Sequence, residues 1–205
     1  MPTTVRKAFF EVARKLGLTT IFGNPGSTDE PFLKNFPTDF RYVLGLQEAS
    51  VVAMADGYAQ AGGQAVVVNV HTAAGMGNAM GTIVTAYHNR SPLIITAGQQ
   101  TREMLLLEPY LTNVASQTVP QPFVKWAYQP ARPQDLPGAL MRAYAAAVLL
   151  PRGRCFCRYR WTTAISRARS CPRSAPSVVA CPPTPARCTR SSMRRSICVP
   201  MWSQT

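Results

Sequence analysis

Short apolar runs alternate with amphipathic stretches along the first 150 residues. Four of these runs are rich in β-branched residues and continuously apolar, which is typical of strands covered on both faces: 19–23, 41–46, 65–70 and 92–98. A last strand is predicted at 123–129. Patterns of helical period lie between them, at 5–16, 29–36, 48–63, 77–90 and 132–150. This alternation predicts an α/β fold with a doubly wound parallel sheet.

The N-terminal segment has the pattern of an amphipathic helix and not of a targeting sequence. Thr3 or Thr4 is suited to cap the helix, and Gly17 to end it. Charged residues interrupt the apolar positions, which argues against a signal peptide, and no run reaches the roughly 18 apolar residues of a membrane span. Since residues 1–150 also contain no cysteine, we expect a cytoplasmic protein.

Charge divides the chain into two parts. The sequence contains 22 Lys and Arg against 9 Asp and Glu, a net charge of +13. All 9 acidic residues lie within 1–150, whereas 151–205 contain half of the basic residues, all of them arginine, and all 6 cysteines. The high net charge therefore belongs to the last part and does not indicate that the globular part binds nucleic acid. We predict a domain over 1–150 and a separate tail over 151–205.

Three polar turns follow the first three predicted strands, at the edge where ligands of doubly wound sheets bind. The turn 24–28 (NPGST) follows the first strand, Glu48 opens the helix after the second, and His71 begins a glycine-rich turn that extends to Gly81. Each also has a plain explanation: ordinary turn chemistry, complementation of a helix dipole, or a hydrogen-bonded histidine. No Gly-Lys-Ser/Thr sequence follows the glycines, which argues against a phosphate cradle.

Taken in order, these turns resemble the N-terminal, pyrimidine-binding domain of the thiamine diphosphate-dependent 2-keto acid decarboxylases. The resemblance extends from residue 1 to about 150 and is carried by FGNPGS (22–27), LQEASVVAMADGYA (46–59), NVHTAAGMGNAMG (69–81) and SPLIITAGQQTR (91–102). His71 points to the branch that decarboxylates benzoylformate, because the acetolactate synthases usually have a Ser-Gly-Pro-Gly-like sequence there.

The resemblance implies thiamine diphosphate as the cofactor and assigns catalytic roles to three side chains. Glu48 matches the carboxyl group that places a proton on N1′ of the aminopyrimidine ring. His71 matches the residue that transfers protons beside the substrate ketone, and Ser27 matches the residue that contacts the substrate carboxylate. A neutral hydroxyl suits that contact, because a cation would stabilise the carboxylate that has to leave.

The resemblance also assigns cofactor-binding positions and places the metal elsewhere. Asn24, Pro25, Gly26 and Asn78 match residues that shape the pyrimidine pocket together with Glu48. In this family a separate C-terminal domain holds the diphosphate and Mg²⁺ through a Gly-Asp-Gly motif, which this sequence lacks, so we expect no metal ligand here. Because the family's sites combine the domains of two subunits, a homo-oligomer (dimer or tetramer) is implied, and this chain is expected to be inactive alone.

The segment GRCFCRYRWTT (153–163) stands where the family has a strand resembling Gly-Pro-Val-Phe-Leu-Ser-Val-Pro-Leu-Asp-Asp. If codons are read from the third base of each recorded codon, Phe156 into Cys157 can encode only Leu, and Trp161 into Thr162 only Asp. With CGN arginine codons, this frame permits Pro-Val-Phe-Leu-Ser-Val-Pro-Leu-Asp-Asp, but it does not permit the Trp that comes next in the family's strand. We therefore predict a one-base frameshift near Pro151 and a disordered, out-of-frame tail over 151–205 with no packed core beyond about residue 153.

Other interpretations of the tail are weaker. An arginine-rich segment can bind nucleic acid, but few aromatic residues accompany it. Cys155 and Cys157 are the one close pair of cysteines and no histidine lies near them, which disfavours zinc, and disulfides conflict with a cytoplasmic domain.

Three functions stay open at this point. The favoured one is a fragment of a decarboxylase of an aromatic 2-keto acid, which forms benzaldehyde and carbon dioxide from benzoylformate. The alternatives are an acetolactate synthase-like or other carboligase fragment, and a non-catalytic basic binding protein. The favoured function implies a small-molecule 2-keto acid substrate and neither nucleic acid nor a membrane as a partner.

Overall fold

The computed structural model describes residues 4–109, 111–112 and 117–160, which contain a six-stranded parallel sheet with helices on both faces. The elements in chain order are α1 (Val5–Lys15), β1 (Thr20–Gly23), α2 (Glu30–Leu33), β2 (Arg41–Leu44), α3 (Glu48–Gly62), β3 (Val66–Val70), α4 (Thr72–Asn89), β4 (Leu93–Gln99), β5 (Trp126–Tyr128), α5 (Leu136–Val148) and β6 (Cys155–Arg160). Short 3₁₀ turns lie at Leu105–Leu107 and Pro133–Asp135. Among the helices described, none combines the length and apolar character needed to cross a membrane.

The strand order β2-β1-β3-β4-β6-β5 creates a crevice at the carboxyl edge of the sheet. The helix that follows β1 packs on the same face as α1 and α5, whereas the helix that follows β3 packs on the opposite face with α3. At these two neighbouring strands the chain therefore leaves to opposite sides, and ligands of such sheets bind at this switch point. The predicted doubly wound α/β sheet is confirmed.

Two apolar layers cover the sheet. On one face, the Phe10 ring lies within 5.7 Å, between ring centroids, of the rings of Phe9, Phe32, Phe36 and Phe40. On the other face, α3 and α4 pack against the central strands. Every residue of β3 and β4 is buried, which explains why these runs are apolar without alternation.

Helix α4 begins earlier than the sequence pattern predicted. We expected a glycine-rich turn from His71 to Gly81, with the helix starting at residue 77, but the helix already begins at Thr72. Gly75, Met76 and Ala79 are buried where α4 packs on α3. This burial offsets the cost of glycine in a helix, which is about 1 kcal/mol per residue relative to alanine.

One strand of the sheet, β6, lies beyond the predicted boundary at residue 150. The expectation of no packed core beyond about residue 153 is wrong for Cys155, Phe156 and Cys157 of β6 (Cys155–Arg160), a strand that lies between β4 and β5. The first three residues of β6 are buried: Cys155, Phe156 and Cys157. Helices cover both faces of this strand, so apolar side chains are favoured on both. The rest of the predicted disordered tail, 161–205, lies outside the described residues.

Arg154 ties the start of β6 to the neighbouring elements. Its guanidinium group donates to the carbonyl oxygens of Phe123 (2.8 Å) and Ala86 (2.7 Å) and lies 4.4 Å from the ring centroid of Tyr87. Burial lowers the pKa of Arg154. This side chain is nearly inaccessible to solvent, so the residue just before β6 is a buried charge that has hydrogen-bond partners.

Candidate functional site

The turn after β1 and the end of β3 meet at the crevice. The amide of Asn24 donates to the carbonyl oxygen of Asn69 (3.1 Å), which joins the two segments. Gly26 then lies directly against the ring of His71: a Cβ atom added at Gly26 would stand 2.0 Å from Nδ1. No side chain fits there, so the glycine of this turn is required by the close approach of the imidazole.

Glu48 is the first residue of α3 and lies at the same edge of the sheet. Its side chain is buried. Asn78 of α4 donates from Nδ2 to Glu48 Oε2 (3.2 Å). Gly75 faces the carboxylate, and a Cβ atom there would stand 2.8 Å from Glu48 Oε1. The carboxylate is therefore held by an amide on one side and accommodated by a glycine on the other.

His71 is the residue that precedes α4, and its side chain is 23% exposed. Its Nδ1 lies 3.4 Å from Asp29 Oδ2 and 3.4 Å from Thr28 Oγ1. The hydrogen bond with Asp29 is the main reason that the pKa of His71 is raised above its usual value. Desolvation opposes this rise, and the negative charges of Asp29 and Glu48 add to it.

Asp29 is a site residue that the sequence analysis missed. Its carboxylate is fully buried and accepts hydrogen bonds from the Gly26 amide (3.1 Å) and from Asn69 Nδ2 (3.2 Å). In the sequence it belongs to the pattern of a short helix, which hides its role. The sequence does contain one signal that points to a buried polar partner such as Asp29. This signal is Asn69, because an amide inside the apolar run VVVNV requires a buried hydrogen-bond partner.

The buried polar contacts extend from Asp29 to the second strand. The hydroxyl of Tyr42 donates to Asn69 Oδ1 (3.2 Å), which leaves the Nδ2 group of that amide to face Asp29. Burial, and then the charge of Asp29, raise the pKa of Tyr42, so the hydroxyl keeps its proton. A connected set of hydrogen bonds therefore runs from Tyr42 through Asn69 and Asp29 to His71.

The backbone just after His71 is strained. Thr72 is a β-branched residue with φ of 41°, in the left-handed region that such residues rarely adopt. Its buried hydroxyl is the one buried side-chain polar atom, within the described part of the chain, that lacks a hydrogen-bond partner. Strain of this kind concentrates at functional sites, where the surrounding structure maintains it.

The structure thus groups the predicted site residues into two contacting sets. Gly26 lies against His71, and Asn78 lies against Glu48. Asn24 and Pro25 are half-buried in the turn after β1. The next turn position, 27, is exposed to solvent, and its serine hydroxyl is available to a ligand. Across the described ranges, no group of three or more His, Cys, Asp or Glu residues could hold a metal ion.

Comparison with protein families gives the decisive observation. The family described as "Thiamine pyrophosphate enzyme, N-terminal TPP binding domain" matches residues 3–121. The chain belongs to this family. The match includes both sets of predicted site residues, so the resemblance stated from the turns is confirmed.

Within this family, the chain is more similar to a benzoylformate decarboxylase than to an acetolactate synthase. The chain is 54% identical over 149 residues to benzoylformate decarboxylase of Pseudomonas aeruginosa. The aligned region covers 73% of this chain and 28% of the relative. It is 28% identical over 149 residues to an acetolactate synthase large subunit of Lactococcus lactis, with 71% of this chain and 26% of the relative covered.

Solved structures agree with the sequence comparison. The crystal structure of benzoylformate decarboxylase from Polynucleobacter necessarius superposes with a TM-score of 0.78 at 56% identity and covers 84% of this chain and 32% of that one. The chain therefore spans less than a third of the length of these decarboxylases. It corresponds to their N-terminal domain.

Proposed function

We propose that this chain is the N-terminal part of a decarboxylase that uses thiamine diphosphate to convert an aromatic 2-keto acid, benzoylformate in the first instance, into an aldehyde and carbon dioxide. The observation that carries the proposal is the buried Glu48 carboxylate, held by Asn78 at the switch point of the sheet. This arrangement occurs in a domain that is 54% identical to a benzoylformate decarboxylase.

The residues at the crevice fit the pyrimidine half of the cofactor. An aminopyrimidine ring needs a carboxyl group at one ring nitrogen and small neighbours around it. Glu48 supplies the carboxyl group, and its neighbour in α4 is Gly75, which has no side chain. When bound, thiamine diphosphate supplies a nucleophilic carbon and accepts the electron pair that carbon dioxide leaves behind.

The side chains of this domain would hold and move protons around that group. Glu48 would hold a proton at the ring nitrogen, with its carboxylate oriented by the amide of Asn78. His71 would exchange a proton with the ketone oxygen, and the hydroxyl of Ser27 would contact the substrate carboxylate without neutralising it. Asn24, Pro25 and Gly26 would shape the wall of the pocket.

The remaining parts of the active site would lie outside this chain. We assign the contacts to the diphosphate and Mg²⁺ to a further domain of a longer protein, and we propose a cytoplasmic homo-oligomer whose sites combine two subunits. An acetolactate synthase-like function is disfavoured, because identity to such an enzyme is 28%, against 54% for the decarboxylase. The hypothesis of a basic binding protein rests on the tail 151–205, and residues 161–205 of it lie outside the described part.

We also propose that the recorded sequence departs from the gene's coding frame near Pro151. In the shifted frame, the codons that begin on the third bases of Arg154, Cys155 and Phe156 permit Val, Phe and Leu at the three positions that are buried in β6. Both reading frames thus supply apolar residues at these three positions of β6. Resequencing the gene tests this proposal: the shifted frame should continue into a Gly-Asp-Gly motif, and an unbroken original frame without such a motif would refute it.

The function is tested in the protein with the frame restored. Glu48→Gln keeps the size of the side chain but removes the acid, so exchange of the cofactor's C2 proton with solvent should slow by about 10²-fold or more, with little loss of cofactor binding. His71→Ala should retain the exchange while turnover of benzoylformate falls. NMR measures the exchange, and Glu11→Gln, on the exposed side of α1, serves as the control.

Two outcomes would contradict the proposal. If Glu48→Gln exchanges the C2 proton as fast as the unsubstituted protein, the role of Glu48 is wrong. If the restored protein forms acetolactate from pyruvate and leaves benzoylformate unchanged, the domain belongs to the carboligase alternative.

A further inference from the structure

We propose that Asp29 is a positioning residue that keeps a proton on His71 Nδ1, so that Nε2 is the nitrogen that exchanges a proton with the substrate. This inference rests on the proposed role of His71 in the decarboxylation. It adds to the site a residue that touches neither the cofactor nor the substrate and acts through the imidazole.

The hydrogen bonds around Asp29 fix which group donates to which. The carboxylate is 0% exposed and accepts from the Gly26 amide at Oδ2 and from Asn69 Nδ2 at Oδ1. With N–H groups directed at both of its oxygens, this carboxylate is placed to accept hydrogen bonds. Nδ1 of His71, 3.4 Å from Oδ2, therefore has to be the donor of that pair.

Thr28 does not reverse this assignment. Its hydroxyl lies 3.4 Å from Asp29 Oδ2 and 3.4 Å from His71 Nδ1, so its single proton could serve either acceptor. An ionised carboxylate oxygen accepts more strongly than a neutral imidazole nitrogen. The hydroxyl proton is therefore directed to Asp29, and its oxygen can accept from the Nδ1–H group.

The carboxylate cannot easily turn away from the imidazole. Tyr42 fixes the amide of Asn69, which in turn holds Oδ1. On the side of β4, Gly98 leaves just enough room: a Cβ atom there would stand 2.9 Å from Asp29 Oδ1 and 2.4 Å from Thr28 Oγ1. Asp29 is thus placed by contacts from several strands, whereas His71 lies at the open end of the network.

Charge supports the same arrangement. The ionisable groups that face His71 are the carboxylates of Asp29 and Glu48, and both favour the protonated imidazole. No hydrogen bond among the described residues involves His71 Nε2. The ring is therefore anchored through Nδ1, and 23% of the side chain is exposed.

The recorded 205-residue chain suffices for the test, because it contains only two histidines, His71 and His88. The variant His88→Gln leaves a single imidazole, whose ¹⁵N shifts report the tautomer and the pKa. We expect the Nδ1–H tautomer above the pKa, in contrast to the Nε2–H form that dominates in free histidine. In Asp29→Asn, the pKa should fall and the Nε2–H tautomer should appear, whereas Asp29→Glu should retain a raised pKa.

A matched control and a second variant keep the test decisive. Asp39→Asn removes an exposed carboxylate that pairs with Arg14, so it should leave the His71 signals unchanged. If Asp29→Asn does not fold, Asn69→Ala loosens only one contact of the carboxylate and should lower the pKa by a smaller amount. The proposal is overturned if the unsubstituted chain has the Nε2–H tautomer. It is also overturned if a folded Asp29→Asn variant keeps the tautomer and the pKa of His71 unchanged.

Activity then separates this inference from the proposed function. In the frame-restored protein, Asp29→Asn should lower kcat for benzoylformate by ~10²-fold or more, as expected for an impaired proton transfer, with C2 exchange preserved. Loss of C2 exchange in Asp29→Asn would contradict a role exerted through His71. Absence of any decarboxylation in the unsubstituted protein would refute the function while leaving the NMR result on Asp29 intact.

Discussion

At the scale of single residues, two glycines allow the functional side chains to approach the backbone. Gly26 admits the ring of His71 and Gly75 admits the carboxylate of Glu48, at distances that leave no space for a Cβ atom. Both glycines have negative φ, so their role here is to provide space and not conformational freedom. Substitution at either position should therefore move a site residue before it disturbs the backbone.

The first prediction concerns Gly26→Ala. The added Cβ would overlap the His71 ring, so the ring should shift away from Asp29 and lose the hydrogen bond that raises its pKa. We expect the pKa of His71 to fall towards its ordinary value of 6.5. An NMR titration of His71 measures the change, with the exposed His88 as an internal reference; an unchanged titration curve would contradict the predicted displacement.

At the scale of elements, the helices α3 and α4 pack together, cover one face of the sheet and contribute residues to the site. Their buried faces complete the apolar layer over β3 and β4, and the first two turns of α4 meet the start of α3 at Glu48. Glycine therefore has opposite effects at different positions of these helices. It lowers helix stability at exposed positions, and it is required where α4 faces the carboxylate.

A matched pair of variants tests this difference. Gly57, in the middle of α3, is exposed and has open space around an added Cβ, so Gly57→Ala should raise the free energy of unfolding by about 0.5–1 kcal/mol. Gly75→Ala brings the same gain in helix propensity, but its Cβ would stand 2.8 Å from Glu48 Oε1. Urea denaturation of both variants should show the stabilisation only for Gly57→Ala; equal stabilisation would contradict the tight contact.

At the scale of the whole molecule, β6 completes the described sheet. It pairs with β4 on one side and β5 on the other, so without it β5 would have no partner among the described strands. Burial raises the pKa of Cys155 to about 11 and that of Cys157 to about 12. Because the thiolate is the reactive form, both thiols should be unreactive in the folded chain.

Alkylation tests the position of β6. With the chain folded, Cys155 and Cys157 should react with iodoacetamide at least ~10²-fold more slowly than in urea, since burial blocks access and suppresses the thiolate. Peptide mass spectrometry gives the rate for each residue. Equal rates in the folded and the denatured chain would show that residues 155–157 are not packed in the sheet.

The repeating units of the fold could be predicted from the sequence because their cause is local. Continuous β-branched runs specify strands covered on both faces, and helical periodicity between them specifies a doubly wound sheet. The order of the polar turns placed Glu48 and His71 at the carboxyl edge for the same reason, since parallel strands end together.

Contacts between distant segments were decided only by the tertiary structure. Asp29 and His71 are 42 residues apart in the chain, and their pairing depends on β1 and β3 being neighbours. Packing against α3 similarly set the start of α4 at Thr72, in spite of its glycines. Composition marked Cys155–Cys157 as foreign to the domain, yet burial depends on apolar side chains in an available strand position, so these residues joined the sheet.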